Sequence, residues 1–168
     1  MVALVQTLLR GSQFLWTLLT TALIGNVISE AFAGNPSSIN YAMFACAVSW
    51  VVLLYGLGAA FVESLANTIV LAVMDGLATV FTFIAGVVLA ARLHVHSCGN
   101  SAYVLSNSLT SGSHNPTKRC HELQASTAFF WFLFASFAGS LIMDFIGSNS
   151  SMSRPRGGLR RGPNMSQV

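Results

Sequence analysis

Residues 123–143 read LQASTAFFWFLFASFAGSLIM, a stretch without Asp, Glu, Lys or Arg. The hydrocarbon core of a bilayer is about 30 Å thick, and a helix needs roughly 20 apolar residues to cross it. Inside lipid, only a helix satisfies its own backbone hydrogen bonds without closing into a barrel. The stretch therefore predicts a transmembrane helix at about residues 123–144.

Three further stretches have the same character, at about residues 11–29, 41–62 and 65–91. Each is apolar on every face instead of alternating, which argues against the strands of a membrane barrel. Nothing else in 168 residues could bury four such segments in a soluble core. The sequence predicts an all-α membrane protein, a four-transmembrane-helix bundle in residues 1–146.

The composition excludes several classes of protein. Apolar side chains make up 54% of the chain and charged ones only 8%, whereas a soluble domain carries about 25% charged residues. This argues against a soluble enzyme, a disordered chain and a nucleic-acid-binding domain. The sequence also lacks a nucleophile–base–acid set, a phosphate loop and paired carboxylates. We therefore expect no enzyme, no cofactor and no metal.

Lysine and arginine near helix ends set the expected orientation. Four spans place both termini on one side, which holds Arg10 and the arginines of the tail, against Arg92, Lys118 and Arg119 on the other. The modest bias predicts cytosolic termini and an outer loop at residues 92–122. A signal-peptidase pattern at 31–33 (Ala-Phe-Ala) is an alternative, and cleavage there would leave three spans with the same orientation.

Residues 147–168 predict a disordered, basic, cytosolic tail, because they are rich in Ser, Gly, Pro and Arg and poor in apolar residues. Arginines close to a membrane are attracted to an anionic leaflet by about 1 kcal/mol each. The candidate residues for contact with anionic lipids of the inner leaflet are Arg154, Arg156, Arg160 and Arg161.

Cys98 and Cys120 lie near the two ends of the predicted outer loop. On the oxidising side of a membrane, a disulfide between them is the simpler expectation. The alternative is a metal site, since His94, His96 and Cys98 alternate along the chain and Cys120 precedes His121. That spacing fits no strong zinc pattern.

Asp75 is an acid inside the third predicted span, and such residues are functional candidates by default. No basic residue stands at a matching depth in the predicted spans, so the sequence predicts a neutral Asp75 hydrogen-bonded inside the bundle. The expected partners are Ser49, Thr79 or a threonine of the first helix (Thr17, Thr20 or Thr21). A proton or ion relay through Asp75 is the alternative.

Small residues recur at helix-packing spacing and would let backbones approach closely. We expect most of them to pack within the monomer and some to pack against another copy of the chain. They are Gly56 and Ala60, Gly76, Gly86 and Ala90, Ala135 and Gly139, and Ser136 and Ser140.

Several strings resemble the fungal non-classical export protein family, four-span MARVEL-domain proteins of the plasma membrane, over nearly the whole chain. The strings are NYAMFACA at 40–47, FTFIAG at 81–86, HSC at 96–98 followed by Asn100 and Tyr103, Lys118 with Cys120, and the SQV terminus at 166–168. Asp75, Cys98 and Cys120 match the family pattern, whereas residues 111–116 fit it least well.

The resemblance implies a protein of static, sterol-rich plasma-membrane domains that helps form the furrows called eisosomes. It also implies a link to sphingolipid-responsive signalling and to secretion of leaderless proteins. The implied partners are membrane lipids (sterol, sphingolipid and the anionic inner leaflet), other copies of the chain and eisosome components, but not nucleic acid. Because the family keeps its first helix, the resemblance counts against signal cleavage.

Two rival functions remain open beside a membrane organiser. One is a small transporter or channel that uses Asp75, and the other is an assembly subunit of a larger membrane complex. We know of no catalytic residues that the resemblance would transfer to this chain.

Overall fold

The structure is a computed structural model, and it describes residues 2–32, 34–94 and 96–152. In that part the chain forms five α-helices and one 3-10 turn, and no strand. The elements are α1 (Val2–Ser29), α2 (Ser37–Phe61), the 3-10 turn (Glu63–Leu65), α3 (Thr68–Leu93), α4 (Ser101–Ser106) and α5 (Pro116–Met152). The predicted all-α class is confirmed.

The helix starts follow from local sequence signals. Pro36 is the N-cap of α2, and Pro116 is the first residue of α5, where the missing N–H costs nothing. Asn67 caps α3 by accepting from the backbone N–H of Ile69 at 3.0 Å. Gly34, in the turn after α1, has φ +82, a left-handed conformation that glycine adopts without strain.

The four long helices form a ring. α1 packs against α2 and α5, and α3 packs against the same two helices, so α1 and α3 lie diagonally across the bundle. Near its start, α1 meets the end of α5 through Gln6 and Asp144, and near its end it meets the start of α5 through Asn26 and Glu122. The two helices are therefore antiparallel and adjacent over almost their whole length.

Two helices, α1 and α5, extend well beyond their predicted starts. α1 begins nine residues before the expected position 11, so Arg10 lies inside a helix and not in a flanking segment. α5 begins at Pro116 instead of 123, and α4 lies within the predicted loop 92–122, so much of that loop is helical. At the other end α5 continues to Met152, which makes the first residues of the predicted tail helical. Residues 153–168 lie outside the described part.

The bundle is apolar on the outside and partly polar on the inside. The buried positions of α1 repeat every three or four residues and include four polar side chains, whereas large apolar side chains face outward. The buried set is Arg10, Gln13, Thr17, Thr20, Ile24 and Val27, and the exposed set includes Leu8, Phe14, Leu15 and Leu18. A helix on the surface of a soluble bundle has the opposite pattern, and this arrangement suits a lipid environment.

Three helices of the described part are long and apolar enough to cross a membrane: α2, α3 and the Pro116–Gly147 portion of α5. α1 is not among them by composition, because it carries Arg10, Gln13 and Asn26 among its apolar residues. The fourth predicted span therefore remains a prediction, as do the cytosolic termini.

Gly86 shows how closely the helices approach one another. A Cβ atom added there would lie 3.4 Å from Trp131 Cε2 and 3.7 Å from Phe130 Cβ. Alanine would fit this space at ordinary contact distance, but a larger side chain would not. In this case the small residue serves contact between α3 and α5 within the monomer.

We predict that Gly86→Leu lowers the free energy of unfolding by about 1–3 kcal/mol through overpacking against Trp131. Gly25→Leu is the matched control, because nothing lies within 4 Å of a Cβ at that position. Thermal unfolding of both purified variants in detergent measures the difference. Equal midpoints for the two variants would contradict the packing described here.

Candidate functional site

A buried ion pair joins α1 and α3 across the interior. Arg10 Nη1 donates to Asp75 Oδ1 and Arg10 Nη2 donates to Asp75 Oδ2, both at 2.7 Å. Asp75 is fully buried and Arg10 is 6% exposed. Two parallel hydrogen bonds between a guanidinium and a carboxylate fix both distance and orientation, so this pair sets how the diagonal helices face each other.

The pairing corrects the expectation that Asp75 would be neutral and bonded to a hydroxyl group. The partner was missed because Arg10 was placed outside the membrane, one residue before the predicted first span. Thr79, one of the expected partners, donates to the backbone carbonyl of Asp75 at 2.6 Å and not to its carboxylate. The spacing of Arg10, Gln13 and Thr17 on one helical face was the sequence signal that could have revealed the partner.

Further polar side chains extend the pair to α5. Gln13 Oε1 accepts from Arg10 Nη1 at 2.9 Å, and Gln13 Nε2 donates to Ser140 Oγ at 2.8 Å. About two helical turns earlier in α1, Gln6 Nε2 donates to Asp144 Oδ1 at 2.7 Å. We call these residues the inner cluster, following the predicted orientation: Gln6, Arg10, Gln13, Asp75, Ser140 and Asp144.

α2 contributes space to the inner cluster instead of a polar group. A Cβ atom on Gly56 would lie 2.6 Å from Arg10 Cζ, so the guanidinium occupies room that only glycine leaves free. A groove of about 480 Å³ reaches Arg10 at this place, with walls that include Gly56, Ala60 and Leu71. All four long helices therefore meet at Arg10.

The opposite end of the bundle is closed by the segment between α3 and α5, which we call the outer cap. Cys98, in this segment, forms a disulfide with Cys120, which lies near the start of α5. Their Cα atoms are 5.7 Å apart, and both residues are buried. Cys98 is therefore not available to join His94 and His96 in the alternative metal site. Cys46, in α2, is a buried free thiol.

Arg119 is a second buried arginine, only 1% exposed, and it organises the outer cap. Its Nε donates to the carbonyl of Leu109 at 2.7 Å and its Nη1 to the carbonyl of Val27 at 2.6 Å. Its Nη2 donates to Asn35 Oδ1 at 3.1 Å. Since the last carbonyls of a helix lack intrahelical partners, Arg119 caps α1 while joining it to the cap and to the turn before α2.

A surface network surrounds Arg119. Lys118 forms an ion pair with Glu30 and lies 3.7 Å from Glu122, and Asn26 Nδ2 donates to Glu122 Oε1 at 2.6 Å. The hydrogen bond from Lys118 lowers the pKa of Glu30 below its usual value. Sequence reasoning treated Lys118 and Arg119 only as topology signals and assigned them no contacts.

The inner cluster and this surface network are separated by the thickness of a bilayer. Arg10 and Glu30 are about 30 Å apart along α1, at 1.5 Å per residue, which equals the thickness of a hydrocarbon core. Buried apolar side chains fill the bundle between Thr20 and the outer cap. They include Ile24, Val27, Ile39, Leu89, Leu123 and Phe130, none of which is exposed.

The arginines of the tail are the residues predicted to contact anionic lipids of the inner leaflet. Arg154, Arg156, Arg160 and Arg161 lie outside the described residues, so their contact with anionic lipids remains a prediction.

We predict that Arg10→Met destabilises the protein by about 3–5 kcal/mol, because it leaves the Asp75 carboxylate buried without its partner. The double variant Arg10→Met/Asp75→Leu removes both charges and should regain much of that loss. Lys118→Gln is the control, since an exposed ion pair is worth about 1 kcal/mol or less. Thermal unfolding of these variants and of the Asp75→Leu single variant in detergent gives the values, and a double variant whose loss equals the sum of the two single losses would contradict a buried coupled pair.

We predict that reducing the disulfide lowers the free energy of unfolding by about 3 kcal/mol, the entropy of closing a loop of this size. The wild-type protein and the Cys98→Ser/Cys120→Ser double variant should unfold alike in reductant and differ without it. Cys46→Ser should keep the sensitivity to reductant. Alkylation of the denatured, unreduced wild-type protein should modify one of its three cysteines, and modification of all three would rule out the bond.

Comparison with known proteins places the chain in a family. The family model described as a membrane-associating domain, MARVEL, matches residues 2–143. The chain is 40% identical over 177 aligned residues to Non-classical export protein 2 of Saccharomyces cerevisiae and 35% identical over 176 to Non-classical export protein 102 of Candida albicans, each across 100% of both chains. It is 32% identical to a homologue from Schizosaccharomyces pombe, across 79% of this chain and 70% of that one. No solved structure matches the chain significantly.

Proposed function

This chain belongs to the MARVEL family of membrane-associating domains and, within it, to the non-classical export proteins, and we propose that it is an organiser of the plasma membrane. In this proposal it helps to form or maintain eisosomes, furrows and sterol-rich domains. It responds to sphingolipids and contributes to the secretion of leaderless proteins. It is not an enzyme and needs no cofactor.

The observation that carries the proposal is where the chain places its polar and apolar side chains. Its two buried arginines are hydrogen-bonded at opposite ends of the bundle, and buried apolar side chains pack between them. Its outer surface, by contrast, presents many large apolar side chains. A filled bundle acts on its surroundings through its surface, which in a membrane means lipids and neighbouring proteins.

The position of α1 supports four spans, which would place both termini on the same side of the membrane. This helix is adjacent to α5 from Gln6 and Asp144 at one end to Asn26 and Glu122 at the other. A helix that lies beside a spanning helix over this length shares its depth. Its polar residues do not prevent insertion, because they face the interior and bond there.

The exposed surface indicates what kind of partner the bundle meets. α3 presents Ile69, Val73, Leu77 and Val80 outward. These side chains repeat at helical spacing, which gives a continuous apolar face. We propose that lipid chains, sterols and further copies of the chain cover such faces, and that eisosome components bind at the membrane surface.

The alternative is a small transporter or channel that uses Asp75. The groove of about 480 Å³ that reaches Arg10 favours it, because it brings the ion pair close to one end of the bundle. Against it stand the bidentate bond that already occupies Asp75 and the apolar side chains between the inner cluster and the outer cap. Transport proteins usually gather several polar groups at the middle of the membrane.

Live imaging tests the organiser. We expect the protein, tagged at its C-terminus, to form static patches at the plasma membrane that disperse when sphingolipids are acutely depleted. The matched control is an unrelated multi-pass plasma-membrane protein imaged in the same cells. Uniform or internal fluorescence, unchanged by depletion, would refute the proposal.

The variant Arg10→Gln/Asp75→Asn separates the organiser from the transporter. It removes both charges but keeps groups that can hydrogen-bond, so an organiser should retain its patches. A relay that depends on the Asp75 carboxylate should keep its location and lose ion flux in reconstituted vesicles. Size-exclusion chromatography of the variant, beside Gly25→Ala, shows first that the bundle is folded.

A further inference from the structure

Arg92 stands apart from the other basic residues of the described chain. Arg10 pairs with Asp75, Lys118 pairs with Glu30, and Arg119 donates to two backbone carbonyls. Among the described residues, the guanidinium of Arg92 has neither a hydrogen-bond partner nor an ion-pair partner, and the residue is exposed. This chain otherwise pairs its described cations, so the unpaired charge needs an explanation.

Arg92 lines a pocket of about 370 Å³ at the end of α3. Its other lining residues all carry polar hydrogen-bonding side chains, and none is a carboxylate: His94, His96, Tyr103, Ser106, Asn107 and Ser108. The hydroxyls of Tyr103 and Ser106 already donate to backbone carbonyls, whereas an imidazole carries at least one N–H donor, and the Ser108 hydroxyl can donate as well. A guanidinium surrounded by such donors suits an oxyanion, which accepts from all of them.

The backbone around the pocket is held in place before any ligand binds. Asn107 Nδ2 donates to the carbonyl of Arg92 at 2.9 Å, and the Tyr103 hydroxyl donates to the carbonyl of Leu93. Gln124 Nε2 donates to the carbonyl of His96 at 2.9 Å. These bonds also occupy carbonyls at the C-terminus of α3 that would otherwise repel an anion, and a preformed site loses less entropy on binding.

The backbone conformation of His94 supports a preformed binding site. His94 has φ 47 and ψ 20, the left-handed conformation that favours glycine or asparagine at a helix end. A side chain with a Cβ is strained there, and such residues concentrate at functional positions. Here the strained residue is one that lines the pocket beside Arg92.

The position of the pocket indicates where its anion comes from. Arg92 is in the last turn of α3, at the end of an apolar run of membrane-spanning length. In a bilayer this level holds lipid headgroups, and the predicted orientation places it at the outer leaflet, where the phosphate of a lipid headgroup would reach the pocket.

We propose that this pocket binds the phosphate group of a membrane lipid, with Arg92 supplying the charge and the imidazole N–H groups of His94 and His96 supplying further donors. Soluble phosphate esters offer the same chemistry from a second source, and the test separates the two. This binding site is separate from the groove near Arg10.

The test uses the full-length protein in a neutral detergent, titrated with phosphatidylinositol and read by native mass spectrometry. Diacylglycerol with the same chains is the phosphate-free comparison. We expect Arg92→Gln to raise the Kd for phosphatidylinositol about tenfold or more, since a charge-assisted hydrogen bond contributes at least that much. Arg92→Lys should restore part of the affinity.

Lys118→Gln is the matched control, because it removes the same charge from the same end of the bundle but outside the pocket. It should leave the Kd within about twofold, below the effect of any charged hydrogen bond. Diacylglycerol should bind weakly and equally to all variants. Equal phosphatidylinositol binding by wild type and Arg92→Gln, or equal loss in Lys118→Gln, would overturn the proposal.

Inorganic phosphate at millimolar concentration distinguishes the sources. Retention of phosphatidylinositol in its presence supports a lipid ligand held by headgroup and chains together. Binding of phosphate with no binding of phosphatidylinositol would overturn the lipid assignment. Because the assay reads isolated protein, its failure is distinct from failure of the organiser proposal, which is read from patches in cells.

Discussion

The ion pair between Arg10 and Asp75 is the constraint on which the arrangement of the bundle depends. Helices in lipid gain little from the hydrophobic effect when they associate, since lipid tails are as apolar as leucine. Packing alone would therefore tolerate sliding of one helix along another. A shift of one turn, about 5.4 Å, would separate the guanidinium from the carboxylate and leave both buried without a partner. The pair thus selects one register for two helices that lie diagonally across the bundle and whose backbones do not pack directly against each other.

The outer cap fixes the other end by different means. Arg119 ties the end of α1 to the start of α5, and the disulfide ties α5 to the segment that follows α3. Both ends are therefore anchored by polar or covalent contacts, while the middle is held by apolar packing and small residues. Such a design places its polar contacts where the ends of a bilayer core would lie and leaves the lipid-facing surface apolar.

The sequence predicts the helices well because the length of an apolar run is set by bilayer thickness and not by tertiary contacts. It predicts the site poorly, because the site is formed by tertiary contacts, and these leave no trace in the length of an apolar run. A rule that places basic residues outside the membrane assigned Arg10 to the flank, and this removed the cation that pairs with Asp75. The helix α4 in the outer cap and the early start of α5 could have been predicted, since Asn100 and Pro116 are strong signals for a helix start. The burial of Arg119 could not be predicted from the sequence, because it depends on carbonyls of α1 and of the outer cap, and no local sequence pattern indicates these contacts.

The bidentate ion pair and the apolar packing of the interior limit what the protein can do there and direct attention to its surfaces. Asp75 is the residue that the sequence alone would suggest as a proton or ion relay, but it is held by two short hydrogen bonds to one cation. Releasing it would cost several kcal/mol unless a second cation or a proton replaced Arg10. By contrast, Arg92 carries an exposed charge that no described residue neutralises. A response to lipids is therefore expected at the outer end of the bundle, where binding needs no internal bond to break and where Asn107 and Gln124 hold the backbone in one shape.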